Sequence, residues 1–245
     1  MRNLFFIPLL AVIVIGFNSC GMGGHDTGNY TIFPPSTVVV GYDKEMGGII
    51  MCTWWGNVAA PSLIGSIPGD CLYVSQFTID YDDQPSKDYF TAINIVKEGI
   101  DRYPFEQSNS VDLREYTLPI SSLEGNTCLF FDGMFFISTV TKDKTPRFRM
   151  VYNSEEETTS WTKNLYVMAS PTASSDNDNV TLGAFNLNSF VYTHGNDTTI
   201  NVEGYKNGMK CKYSIVNIKY YSGVDGDGIP IFKALNSPFY IYISD

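Results

Sequence analysis

The sequence is poor in the residues most catalytic sites need. It holds two histidines, His25 and His194, neither with a plausible metal-ligating neighbour in sequence. A zinc cluster or a nucleophile–histidine pair therefore has little to build on. The five cysteines, Cys20, Cys52, Cys71, Cys128 and Cys211, are far apart and form no C-x-x-C pair. No G-x-S-x-G, H-E-x-x-H or phosphate-loop pattern occurs, which leaves hydrolase chemistry unsupported. Positive charge is scarce too: 16 Lys and Arg face 26 Asp and Glu, a net −10 that argues against nucleic acid as a partner. Past residue 15 no apolar run is long enough to span a bilayer. No stretch sustains a capped helical period, and no internal repeat stands out.

What the chain does have is apolar and aromatic mass, 44% and 14% of its residues, enough for a packed core. Its first twenty residues are the most specific signal. Arg2 supplies a positive tip, residues 4–15 form an uncharged apolar run, and Gly16-Phe17-Asn18-Ser19-Cys20 closes it with small and polar groups. That is an export signal. It resembles a bacterial lipoprotein signal of the looser kind seen in Bacteroidetes, in which Cys20 becomes the lipidated first residue. Residues 1–19 then leave, 226 residues remain, and loss of Arg2 takes the charge from −10 to about −11. Residues 20–35, rich in glycine and ending at Pro34-Pro35, read as a flexible tether.

Strand signals follow almost everywhere. Thr37-Val38-Val39-Val40 and Ile49-Ile50-Met51-Cys52-Thr53-Trp54-Trp55 are β-branched or apolar runs bounded by turns. In 77–81, Phe77, Ile79 and Tyr81 alternate with polar neighbours. Residues 89–96 return as a strand. The texture loosens over 101–109, so a boundary is expected near 103–118, separating a domain at 36–110 from one at 118–245. In the second, strands are expected at 129–131, 134–140, 147–152, 165–169, 185–192, 199–202, 213–220 and 239–243. The fold class is all-β. Cys52 and Cys71 read as buried thiols, with a bridge across neighbouring strands left open.

Ser66-Ile67-Pro68-Gly69-Asp70-Cys71-Leu72-Tyr73-Val74, Gln76 to Tyr81 and the return Tyr89 to Ile95 carry a family likeness. Residues 63–103 resemble the NigD-like lipoproteins of Bacteroidetes. That resemblance implies an amino-terminal OB-like barrel, a carboxy-terminal β-sandwich and a place in the envelope. A fimbrillin-like pilus subunit is the other family of similar organisation.

Candidate sites are few. Trp54 and Trp55, on a strand, would point to opposite faces, one into the core and one able to stack on a sugar ring. Tyr220-Tyr221 invites the same comparison. Asp225-Gly226-Asp227-Gly228 resembles part of a calcium loop but lacks the distal glutamate, and Asp and Gly also favour plain turns. Asp176-Asn177-Asp178-Asn179 reads as a polar loop, and Glu155-Glu156-Glu157 as a solvated one. Thr198, in Asp197-Thr198-Thr199, resembles an O-glycosylation acceptor of exported Bacteroidetes proteins and is expected in a turn. No cofactor or catalytic residue is assigned. The sequence reading is a non-catalytic envelope lipoprotein, anchored through Cys20 to the outer membrane and binding a protein partner or a glycan, or else a structural subunit of a surface assembly. Gly21-Met22-Gly23-Gly24-His25 is not acidic, so a periplasmic face is expected.

Overall fold

The computed structural model describes residues 28–53, 55–123, 129–156, 162–200 and 209–244. Cys20, Trp54 and Cys128 lie outside these residues. The chain divides between Ile100 and Asp101 into two compact units.

The first unit is a small barrel built on one long strand. β1 (Tyr30–Phe33) and β2 (Ser36–Asp43) are separated by Pro34-Pro35, which cannot donate to a ladder. Both pair antiparallel with β5 (Cys71–Asp80), β2 with its first half and β1 with its second. β1 thus falls inside the stretch expected to be tether. β2 also pairs with β3 (Gly48–Thr53), and β3 with β4 (Gly56–Ala59). On the other side β5 pairs with β6 (Ile93–Ile100). A parallel bridge between Ala59 and Thr91, with Ala59 N–H on the Phe90 carbonyl at 2.9 Å and Ala92 N–H on the Ala59 carbonyl at 2.8 Å, closes the circuit. Meander, return strand and parallel closure are the OB topology, and closure protects the sheet edges. Inside lie Val38, Val40, Met51, Leu72, Phe77 and Ile79, with Phe33 stacked on Phe77 at 4.4 Å. The inward set of β5 changes parity from Leu72 and Val74 to Phe77 and Ile79 because the register shifts on either side of Gln76.

The second unit is a β-sandwich. One sheet runs β10 (Leu129–Phe131), β11 (Met134–Asp143), β14 (Ser174–Asn186), β7 (Arg102–Tyr103), with β9 (Ile120–Leu123) also on β11. The other runs β15 (Asn196–Ile200), β16 (Met209–Val224), β13 (Thr162–Ser170), β12 (Arg147–Asn153), β8 (Phe105–Ser108), with β17 (Pro230–Ala234) and β18 (Phe239–Ser244) on β16. Their shared core holds Phe135, Ile137 and Phe185 against Phe148, Met150, Leu165, Val167 and Ile218. The spacing of two along each strand is that of a face turned inward. Asp132-Gly133, both at positive φ (49° and 73°), make the tight β10–β11 turn.

Four expectations change. The loosened stretch 101–109 is two edge strands: β7 pairs parallel with β14 and β8 parallel with β12, so this segment passes from one sheet to the other at Pro104 and belongs to the sandwich. Its polar, partly exposed sequence is what an edge looks like, and it hid the strands. The polar stretch 174–179 is the start of β14, held by backbone pairing to β11 while its side chains face solvent. The expected strand at 185–192 ends at Asn186, and helix α1 (Asn188–His194) follows. The β-favouring Phe190 and Val191 form two helical turns because both are buried there, Phe190 ringed by Phe105, Tyr152 and His194. Finally, β3 ends at Thr53, so Trp55 lies in a hairpin turn, where Thr53 Oγ1 accepts its N–H at 3.1 Å.

Candidate functional site

Most sequence candidates resolve into packing. The Trp55 ring meets Phe33 edge-on at 5.5 Å and packs on the barrel core. Tyr220 faces the sandwich core and Tyr221 the outer side of its sheet, where it is also buried, near Phe232. His194 lies against Tyr152 and Phe190, with its Nε2 3.0 Å from Gln107 Oε1. Cys52 and Cys71 are both buried, and both are register partners of Val39, on opposite edges of β2. Two inter-strand steps of about 4.8 Å separate them, beyond the roughly 7 Å limit for a disulfide, so the bridge across neighbouring strands is excluded.

The Asp225 carboxylate accepts N–H bonds from Asp227 at 2.9 Å and Ile229 at 2.8 Å, closing the β16–β17 turn. Among the described residues no group of three or more acidic, histidine or cysteine side chains could hold a metal. Thr198 sits in β15, half-buried, rather than in a turn. Glu156 is no solvated charge. It takes Lys219 Nζ at 2.9 Å and the Tyr166 hydroxyl, while Lys219 also reaches that hydroxyl at 3.0 Å. Burial opposes ionisation of Glu156, but these two donors outweigh it and hold its carboxyl below the usual range. Burial and the Glu156 carboxylate together raise the Tyr166 phenol.

The arrangement that stands out was not among those candidates. A cleft of about 540 Å³ opens in the sandwich where the chain crosses between sheets. β7 supplies Arg102 and Tyr103, the start of β12 supplies Arg147 and Phe148, and the segment before β9 supplies Tyr116. Thr145 and Thr172, from two neighbouring turns, form the rim with their hydroxyls 2.8 Å apart.

Asp143 holds that rim in place. It is fully buried at the end of β11, beside a register irregularity. Its carboxylate accepts N–H bonds from Thr145 at 2.9 Å, Thr172 at 2.8 Å and Ala173 at 2.7 Å. Burial alone would raise its pKa; the three backbone donors and the Thr172 hydroxyl outweigh that and lower it.

The wall is equally fixed. Tyr103 Oη donates to the Pro146 carbonyl at 3.1 Å and its ring meets Phe148 edge-on at 5.1 Å. Gly183 lets the ring lie close, since a Cβ there would come within 3.1 Å of it. Burial first, then the Asp101 carboxylate, push the phenol up to about 12, with Arg147 opposing.

Arginine is concentrated here. Of the five in the sequence, Arg2 lies outside the described residues; the other four are Arg102, Arg114, Arg147 and Arg149. Two line the cleft. Arg149 pairs with Glu106 and lies 5.3 Å from the Tyr116 ring centroid, and Arg114 pairs with Asp112 at 2.6 Å on the segment that carries Tyr116. The available sequence signal was the confinement of these four to residues 102–149 of an acidic chain.

An OB-type barrel followed by a β-sandwich is thus the class of protein the fold defines. No protein-family profile matches the chain, and no curated protein matches it in sequence. Solved structures do match in fold. An uncharacterized protein from Parabacteroides merdae is 14% identical, with 86% of this chain and 99% of that one aligned at a TM-score of 0.59. A candidate lipoprotein from Bacteroides fragilis is 11% identical over 86% and 97%, TM-score 0.56. The neighbours also include a NigD-like immunity protein from Bacteroides caccae, 14% identical over 86% and 94%, TM-score 0.46. The likeness is one of fold.

Proposed function

We propose that the protein is a non-catalytic lipoprotein of the cell envelope, tethered through lipid on Cys20, whose sandwich unit binds a ligand in the arginine-lined cleft. One observation carries the binding role: in a chain of net −10, two of its five arginines, Arg102 and Arg147, line one cleft together with the half-buried Tyr103 and Tyr116. Arginine offers a planar fork of donors and is the residue type of choice for recognising oxyanions. A concave site with a few converging polar groups is the ordinary form of a ligand site. The export signal ending at Cys20 supports the anchor, and among the described residues no helix is long and apolar enough to cross a membrane.

The anchor is tested by metabolic labelling with a palmitate analogue. The wild type takes label and enters detergent; Cys20→Ala takes none and accumulates as precursor. Equal labelling of the two would remove the anchor. We place the protein in the outer membrane facing the periplasm, and its removal by protease on intact cells would reverse that orientation. The binding role is tested by concentration series of the detergent-solubilised protein. A monomer that captures a glycan or partner through the cleft supports it. Concentration-dependent polymers, with no such capture, would favour a structural subunit of an assembly.

A further inference from the structure

The chemistry of the cleft points to a narrower ligand class, an inference that rests on its being a binding site. We infer that it holds an acidic sugar, a glycan residue bearing a carboxylate or a sulfate. Arg102 and Arg147 line it from two different strands, β7 and β12, so guanidinium groups border the cleft from two separate elements. The planar guanidinium fork matches the geometry of an oxyanion. The remaining polar groups are of another kind. The Asp101 carboxylate accepts hydrogen bonds, and the Thr145 and Thr172 hydroxyls both donate and accept. A bare anion has no use for a carboxylate beside it. A ring that carries one acidic group and several hydroxyls uses all three. Pro104, Tyr116 and Tyr103 add apolar wall for the C–H side of such a ring.

The alternative occupant, an acidic peptide, fits less well. Peptides commonly add to a sheet edge through main-chain bonds. The edge strand at the cleft, β7, is two residues long and is followed at once by Pro104, which has no N–H to offer. A run of acidic side chains would also meet Asp101 and the negative charge of the whole chain, whereas a single acidic ring needs only the local arginines. Within the site, the walls are pre-set by the Tyr103–Pro146 hydrogen bond and by Asp143 beneath the rim, so little is ordered on binding.

The test is calorimetric titration of the full protein in detergent with trigalacturonate, a chondroitin sulfate tetrasaccharide and neutral galactotriose. At least one acidic probe should bind at least tenfold tighter than the neutral one, and which of the two binds separates carboxylate from sulfate. Arg147→Ala and Arg102→Ala should each weaken it about tenfold or more, since a charge-assisted hydrogen bond is at stake. Arg147→Lys should recover part of the loss. Arg147 is exposed, so its replacement should leave the melting temperature within a degree or two, which separates lost recognition from lost folding. Equal affinity for the neutral trisaccharide, lost when the cleft is altered, would overturn the acidic-sugar inference while keeping the cleft as a binding site. Acidic binding indifferent to both arginine variants would place the ligand elsewhere and overturn it. Binding of a hexaglutamate peptide through the same arginines, with no glycan bound, would replace sugar by peptide. No binding by any probe would overturn the cleft reading and this inference together.

Discussion

The barrel and the sandwich treat their edges differently. The barrel closes its ladder through the Ala59–Thr91 bridge, and its aromatic groups Phe33, Phe77 and Trp55 turn toward its own centre. The sandwich leaves its sheets open, with β7 at one edge of one sheet and β8 at one edge of the other, and runs one short segment between them at Pro104. A cleft forms beside that crossing, and Arg102 and Arg147 line it. The closed barrel pairs its edge strands within its own ladder. An open sandwich must hold its rim with polar groups, and the same groups leave a place where a ligand can be met.

That contrast gives ordered expectations. The largest effect should come from Phe77→Ala in the barrel, where a fully buried ring is lost, about 3–5 kcal/mol. Trp55→Ala should cost less, because its ring is half-buried. Urea unfolding gives both values, and two equal losses would mean that the Trp55 contact with Phe33 is as enclosed as the core itself. Next comes Asp143→Ala, which removes a buried carboxylate and the shared acceptor of three partly exposed N–H donors at the rim, and should cost roughly 1–3 kcal/mol. If its cost falls within the noise of a surface substitution, the rim is not held as described.

Acid should expose the same residue. The folded pKa of Asp143 is lowered while the unfolded value is the ordinary carboxylate one near 4, so its stabilisation is complete above about pH 5 and is lost as the pH falls through the folded value. An Asp143→Asn protein should therefore show a shallower acid limb in its stability profile than the wild type. At the alkaline end the sign reverses. Tyr103 has a raised folded value of about 12, so its share is present below the unfolded value near 10 and disappears between 10 and 12. Tyr103→Phe should flatten that limb, and an unaltered alkaline midpoint would count against a packed phenol. Smallest is Glu156→Gln at the network with Tyr166 and Lys219, with side chains 36% and 25% exposed for Glu156 and Lys219; screening should hold its cost to about 1 kcal/mol or less at pH 7.

The fold class and the order of the two units were legible from residues. Strand periodicity at 77–81 and in the runs at 134–140, 147–152 and 165–169 places side chains on faces, and those faces are the cores observed. What misled were polar or aromatic stretches whose structure is decided by a partner. Ser174 to Asn179 is strand because β11 lies beside it, and Phe190-Val191 is helix because a pocket receives that face. Trp55 draws notice by its residue type, yet its ring packs on the barrel core, whereas Arg102 and Arg147 sit in no recognisable sequence motif.

The sequence by itself determined an acidic all-β chain with two units of different pattern, since charge and period-two alternation are local properties. Tertiary structure alone decided that β1 and β2 share β5, that Cys52 and Cys71 stand two strands apart, and that arginines from positions 102 and 147 face one cleft. The reason is physical. Pairing between strands distant in sequence is chosen by the burial and hydrogen bonding of the whole sheet, so residues with no common motif become neighbours only once the sheets have formed.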